Sequence, residues 1–220
     1  MSIANNILSI KASLPPHVTL VAVSKTKPVA DLTEAYNAGQ RIFGENKVQE
    51  MVEKWEQLPK DIQWHMIGHV QTNKVKYMVP FVSLIHGVDS LKLLVEINRQ
   101  AKRYRKVINC LLQIHIAEED TKFGLNELEL KALLESDEFK QLENICITGL
   151  MGMATFTDDE AQIRKEFSYL KSIFDQLSKQ PSTVNFQLST LSMGMSGDYR
   201  IAIDCGGNMV RIGSSIFGNR

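Results

Sequence analysis

The sequence is poor in most features that would assign it quickly to a special class. It has no surplus of either charge: 25 Lys and Arg stand against 25 Asp and Glu, a net charge of zero with histidine neutral. Affinity for nucleic acid or for an anionic membrane rests on an excess of Lys and Arg, so the balance argues against both partners. Its three cysteines, Cys110, Cys146 and Cys205, are too few and too scattered for a disulfide framework or a zinc site, and their thiols are expected to be reduced. No apolar run approaches the roughly 18 residues that span a bilayer. No signal peptide opens the chain, because the first charged side chain, Lys11, follows the early apolar residues instead of preceding them. Low-complexity tracts, linkers and internal repeats are missing as well. The expectation is a cytoplasmic chain whose residues 1–220 form one domain, long enough to bury a substantial core without covalent staples.

What the chain does have is alternation. Ile3, Ile7, Ile10 and Leu14 form one stripe of a helix, with Ser2 as N-cap and Pro15-Pro16 as the stop. Eight short apolar segments follow: 19–24, 41–43, 63–67, 84–87, 107–114, 145–150, 185–188 and 209–212. Between them lie helix-like stretches, clearest at 29–37, 48–55, 90–104, 127–134 and 158–177. Repeated strand–helix units make parallel strands with helices outside, and eight of them close into a (β/α)8 barrel, for which about 200 residues is the low end. The predicted fold is therefore α/β: a single TIM-type (β/α)8 barrel with an extra N-terminal helix. An open doubly wound sheet is the competitor. Its usual Gly-rich first turn is lacking, since Ser24-Lys25-Thr26-Lys27-Pro28 contains no glycine.

Barrel chemistry sits where strands end and loops begin. There the first strand delivers Lys25, the second Gly44-Glu45-Asn46, the third Gly68-His69 and the fourth His86. The sixth is followed by Met151-Gly152-Met153, the seventh by Ser192–Gly197, and the eighth ends Arg211–Ser215. Alternation puts Val21, Val23 and Lys25 on one face, the barrel interior, where burial would favour a neutral, nucleophilic amine. The competing reading is a lysine reaching out to solvent. Lys27, directly before Pro28 at the helix start, is expected to be exposed. The turns after strands seven and eight occupy the usual phosphate position of such barrels, with Ser192, Ser196, Ser214 and Ser215 adding hydroxyls to backbone N–H donors. Arg211 shares a parity with Met209 and Gly213 and should face inward. It either pairs with a core carboxylate such as Glu45 or faces a ring nitrogen, to which it can only donate. The five histidines show no metal-ligand spacing. The basic run from Arg99 to Lys106 reads as a solvated helix end, and Trp55 and Trp64 as packing residues.

These strings resemble one known family. Val21–Pro28 (VAVSKTKP), Phe43–Asn46 (FGEN) with Gln49-Glu50, Trp64–Gly68 (WHMIG) with Gln71 and Asn73-Lys74, Gly149–Ala154 (GLMGMA), Leu191–Ser196 (LSMGMS) and Val210–Gly218 (VRIGSSIFG) are similar, in order and over nearly the whole chain, to the pyridoxal phosphate homeostasis protein family. The resemblance implies a barrel related to the N-terminal domain of alanine racemase, binding pyridoxal 5′-phosphate (PLP) without established enzymatic activity. It makes Lys25 the Schiff-base lysine and sets Arg211 against the pyridine nitrogen. Ser192, Ser196, Gly213 and Ser214 would hold the phosphate, the choice between Ser192 and Ser196 staying open, and Asn46 would lie beside the ring.

Two functions follow as expectations. In the first, the protein carries and buffers PLP and supplies apo PLP-enzymes, as a monomer or weak dimer. In the second it is an amino-acid racemase. Two-base racemisation needs an acid or base on each face of the amino acid. In the related racemases the second base is a tyrosine supplied across a dimer, and a further C-terminal domain completes the site. None of the tyrosines at 36, 77, 104, 169 and 199 lies in a matching motif, and the chain ends at Arg220, seven residues after Gly213. A ring nitrogen facing a guanidinium is also a weak electron sink. Carriage is the expectation.

Overall fold

Each of the eight apolar segments forms a strand. The computed structural model describes residues 2–118, 123–181 and 183–218. The strands are β1 (Thr19–Val23), β2 (Ile42–Glu45), β3 (Gln63–Met66), β4 (Val82–Val88), β5 (Ile108–Gln113), β6 (Ile145–Met151), β7 (Phe186–Ser192) and β8 (Met209–Ile212). They stand in sequence order in a closed barrel, and every neighbouring pair is parallel, β8 with β1 included. The fold is the predicted (β/α)8 barrel with its extra N-terminal helix. No glycine-rich dinucleotide turn and no open sheet edge occur among the described strands.

Side-chain parity divides the core in two. Val21, Leu84, Leu111, Met151 and Met209, with Ile42, Ile67 and Met153 beside them, form a small cluster that fills the inside of the barrel. The opposite faces of the same strands, through residues such as Ala22, Phe43, Trp64, Ile85 and Leu112, join a large cluster under the helices. That outer layer is built by α1 (Ile3–Ser13), α2 (Val29–Asn37), α3 (Val48–Gln57), α4 (Val75–Met78), α5 (Leu91–Arg103), α6 (Glu127–Glu135), α7 (Asp137–Lys140), α8 (Glu160–Leu177), α9 (Tyr199–Asp204) and α10 (Ser214–Phe217). None of the described helices is long and apolar enough to cross a membrane.

The caps follow residue chemistry. Ser2 accepts from the Asn5 N–H at the start of α1, and the extended Leu14 ahead of Pro15 ends it. Asn126 and Glu129 exchange hydrogen bonds in a capping box that opens α6. Helix α1 is tied to α10 by Asn6, which donates to the Ile216 carbonyl at 2.9 Å. The run from Lys102 to Val107 is exposed at the end of α5, as expected, and Trp55 stacks on Phe81 at 4.5 Å. Two readings are corrected. Pro28 caps α2 from outside the helix, which begins at Val29. Strand β7 runs on to Ser192: its residues Gln187 and Ser189 are exposed, so the apolar pattern fades before the strand does.

Candidate functional site at the C-terminal rim

Lys25 stands two residues beyond the end of β1, in a tight turn, and is half-buried. The Lys27 N–H closes that turn onto the Ser24 carbonyl at 3.0 Å. Thr26, next to Lys25, holds φ at 64°, a left-handed conformation that a β-branched residue enters only when its surroundings enforce it. The enforcing groups are visible. The Thr26 N–H donates to Glu50 Oε1 at 2.5 Å. The Ser24 hydroxyl donates to Glu45 Oε1 at 2.6 Å. The Lys54 ammonium, 5% exposed, spends its three donors on the Ser24 carbonyl, Glu45 Oε1 and Glu50 Oε1, each at 2.8 Å. Burial pushes the Glu45 carboxyl above its ordinary pKa, against the opposing pull of Lys54 and Ser24.

Glu45 is therefore not the partner of Arg211. It lies on the outward face of β2, under α3, whereas Arg211 points into the barrel. Arg211 is 4% exposed, on β8 beside Val21 of β1. Its Nη1 donates to the Ser192 hydroxyl at 2.6 Å and its Nη2 to the Gly152 carbonyl at 3.0 Å, both neutral acceptors. Burial lowers its pKa to about 10, with Asp198 acting in the opposite direction, so the guanidinium stays charged at neutral pH. Ser192 Oγ is also 3.1 Å from His86 Nδ1, and His86 Nε2 is 3.0 Å from His65 Nδ1. Desolvation depresses His65 to about 3 and His86 well below its ordinary value. Both rings are neutral, and each of their contacts needs one donor and one acceptor.

Above this buried row lies the cup formed after β7 and β8. The Gly213 N–H donates to Ser196 Oγ at 3.3 Å, which brings the two predicted phosphate turns into contact. A Cβ on Gly213 would lie 3.2 Å from the Val23 carbonyl oxygen, so glycine lets the end of β8 press against the end of β1, where Lys25 follows. Gly194 has φ 90° and accepts from the Arg211 N–H at 3.0 Å, anchoring the first turn to the strand that carries the guanidinium. The first N–H groups of a helix have no partner within it, and Ser214 and Ser215 open α10 at this edge. Asn46 follows β2 at the same rim, half-buried.

The seven predicted site residues thus stand on four strand ends, β1, β2, β7 and β8, of one barrel face. Lys25, Ser196, Gly213 and Ser214 gather at the mouth with Asn46. Ser192 and Arg211 sit below it, and the Ser192 hydroxyl is engaged by Arg211 and His86. Lys27, expected at the surface, is half-buried and ties the turn to the chain end by donating to the Phe217 carbonyl at 3.0 Å. Sequence reasoning placed His86 at the rim without a role, and it assigned no role to His65, Lys54 or Glu50. The histidines could have been found by parity, since His65 alternates with the outward Trp64 and Met66, and His86 with the outward Ile85. No local pattern marks Lys54 as a partner of Ser24, because a buried lysine on a helix reads like any charged face residue. Among the described residues no group of His, Cys, Asp and Glu could hold a metal ion.

The donor set suits a small heteroaromatic phosphate that carries an aldehyde. It offers a rigid guanidinium that only donates, a Gly/Ser cup whose closeness to β1 a Cβ at position 213 would disturb, and an amine at the adjoining strand end.

Comparison with known proteins gives a consistent picture. Residues 1–220 match the family described as alanine racemase, N-terminal domain. The pyridoxal phosphate homeostasis protein of Pasteurella multocida (strain Pm70) is 42% identical over 206 residues, covering 92% of this chain and 87% of the relative. That of Synechocystis sp. (strain ATCC 27184 / PCC 6803 / Kazusa) is 40% identical over 211 residues, covering 95% and 94%. PipY of Synechococcus elongatus PCC7942, solved with PLP bound, superposes with a TM-score of 0.89 at 35% identity, over 99% of this chain and 100% of that one. An alanine racemase of Clostridium difficile 630 gives a TM-score of 0.79 at 16% identity, over 100% of this chain and 57% of the racemase, a likeness of fold alone.

Proposed function

We propose that this chain, which belongs to the pyridoxal phosphate homeostasis protein family, binds PLP at its C-terminal rim and carries or buffers it for supply to apo PLP-enzymes. Residues 1–220 act as one PLP-binding domain, in the cytoplasm, as a monomer or weak dimer. The free thiols of Cys110, Cys146 and Cys205 suit that compartment. The observation that carries the reading is the meeting of β1 and β8. It sets Lys25, the inward Arg211 and the Ser196–Gly213 cup side by side.

The cofactor brings an aldehyde that a primary amine can hold as a reversible Schiff base, and Lys25 is the amine assigned to it. Ser196, Gly213 and Ser214 receive the phosphate through a hydroxyl and backbone donors. Asn46 borders the ring. Arg211 would face the ring nitrogen and, charged at neutral pH, could only donate to it, which would leave that nitrogen unprotonated. Ser192 receives a different role from its neighbours: with Gly152 it fixes the plane of the guanidinium, and His86 holds Ser192 in turn. A guanidinium at this position keeps the ring a poor electron sink, which favours holding the cofactor over turnover of amino acids.

Adding PLP to the purified protein should produce a visible absorbance band, and mixing the loaded protein with an apo PLP-enzyme should restore that enzyme's activity in step with loss of the band. Steady racemisation of amino acids by the purified protein, abolished in Lys25→Ala, would replace this reading with the racemase one.

A further inference from the structure

We propose that Lys54 is a positioning residue for Lys25, acting through a buried clamp that fixes the backbone on both sides of it. The inference rests on the assignment of Lys25 as the amine that holds PLP. Three observations carry it. The clamp grips the two residues that flank Lys25: Lys54 takes the Ser24 carbonyl directly, and Glu50, held by Lys54, takes the Thr26 N–H. Glu45, also held by Lys54, takes the Ser24 hydroxyl. The residue so gripped at Thr26 is in a left-handed conformation, with φ 64°, that its own side chain disfavours. The cluster is also costly in itself. It buries a lysine and the Glu45 carboxylate, with Glu50 partly covered, and Glu45 Oε2, fully buried, has no hydrogen-bond partner. An apolar filling would serve packing as well or better, so such a cluster is weak evidence for stability alone.

The arrangement explains how a lysine on a glycine-free turn can be aimed. A flexible four-carbon side chain loses precision if its Cα wanders, and the turn Ser24–Lys27 holds its strained shape only while Thr26 is pinned. Lys54 supplies this at a distance, from the second turn of α3 behind β2, with all three ammonium hydrogens committed.

The test uses the PLP-free protein first. Two variants break the clamp in different ways. Glu50→Ala removes the acceptor of the Thr26 N–H and one of the three acceptors of Lys54, at a side chain that is 23% exposed. The double variant Lys54→Met with Glu45→Gln removes the ammonium without leaving a buried carboxylate unpaired. In both, hydrogen exchange at the Thr26 amide should quicken by about tenfold or more, the scale of losing one hydrogen bond to a charged group, while exchange in β4 and β5 is unchanged. Once loaded, both variants should bind PLP with weaker visible circular dichroism per bound cofactor, and inorganic phosphate should bind as in the parent protein. Unchanged exchange at Thr26, or unchanged dichroism per bound PLP, in both variants would overturn the proposal. If the parent protein fixes no PLP on Lys25 while Thr26 still loosens in the variants, the cofactor assignment fails and the clamp stands as a feature of the turn alone.

Discussion

Ser192 and Ser196, four positions apart, are not told apart by sequence pattern, yet the structure gives them separate surroundings. Ser196 Oγ meets a backbone N–H at the open cup, whereas Ser192 Oγ is locked between a guanidinium and an imidazole in a site with no solvent exposure. Their alanine variants should therefore separate two effects. Ser196→Ala should weaken PLP binding by roughly tenfold, the worth of a hydrogen bond to a charged group, with little change in melting temperature. Ser192→Ala should cost about 1–3 kcal/mol of stability, because it leaves a buried Arg211 donor and the buried His86 Nδ1 without their partner. Denaturant melts alongside PLP titrations check both. Gly194 adds a third case. Its φ of 90° and a Cβ that would lie 2.7 Å from the Ala202 Cβ leave no room for a side chain. Gly194→Ala should lose about 1–3 kcal/mol of stability and loosen the turn that Arg211 holds.

The elements were legible in the sequence wherever one period ruled. The strands at 63–66 and 209–212 have buried residues flanked by polar ones, and their positions were clear from apolar runs alone. Short helices such as α4, α7 and α9 were not, because four to six residues carry too few turns to show a 3.6-residue repeat. The strand-end positions of Lys25 and Gly213 and the inward face of Arg211 were legible because strand parity and strand-end position are local properties. The pairing of His65 on β3 with His86 on β4, and of Lys54 with Ser24, was missed because it depends on which elements become neighbours. The histidine pair makes a prediction at this scale. Both imidazoles are buried neutral, with folded pKa values below the unfolded value of 6.5, His65 at about 3. Between those limits the unfolded chain binds more protons, so stability rises with pH and is lost as pH falls from 6.5 toward 3. Urea unfolding should show a slope of about 1.4 kcal/mol per pH unit from His65 across that window, with His86 adding in the same direction. Replacing His65 and His86 together by Gln should flatten this part of the curve.

At the scale of the whole molecule, closure of the barrel is what makes a site from residues at opposite ends of the chain. Strand β8 returns to pair with β1, with Val21 in register with Arg211 and Ala22 with Ile212, and the turns beyond them bring Gly213 against Val23. The zero net charge says nothing against holding a phosphate here, because the proposed donors are a hydroxyl and local backbone groups and not a basic surface. The same closure lets the outer helix α3 steady the Lys25 turn from behind while the inner row from His65 to Arg211 stiffens the floor of the mouth.

The assignment of Lys25 as the amine that holds PLP is tested most directly by loading the protein with an equimolar amount of PLP, reducing with borohydride and mapping the modified peptide by mass spectrometry. The predicted result is the reduced PLP mass on Lys25, in the peptide that contains Ser24 and Thr26. No fixed PLP mass, or PLP mass confined to other lysines, would contradict it.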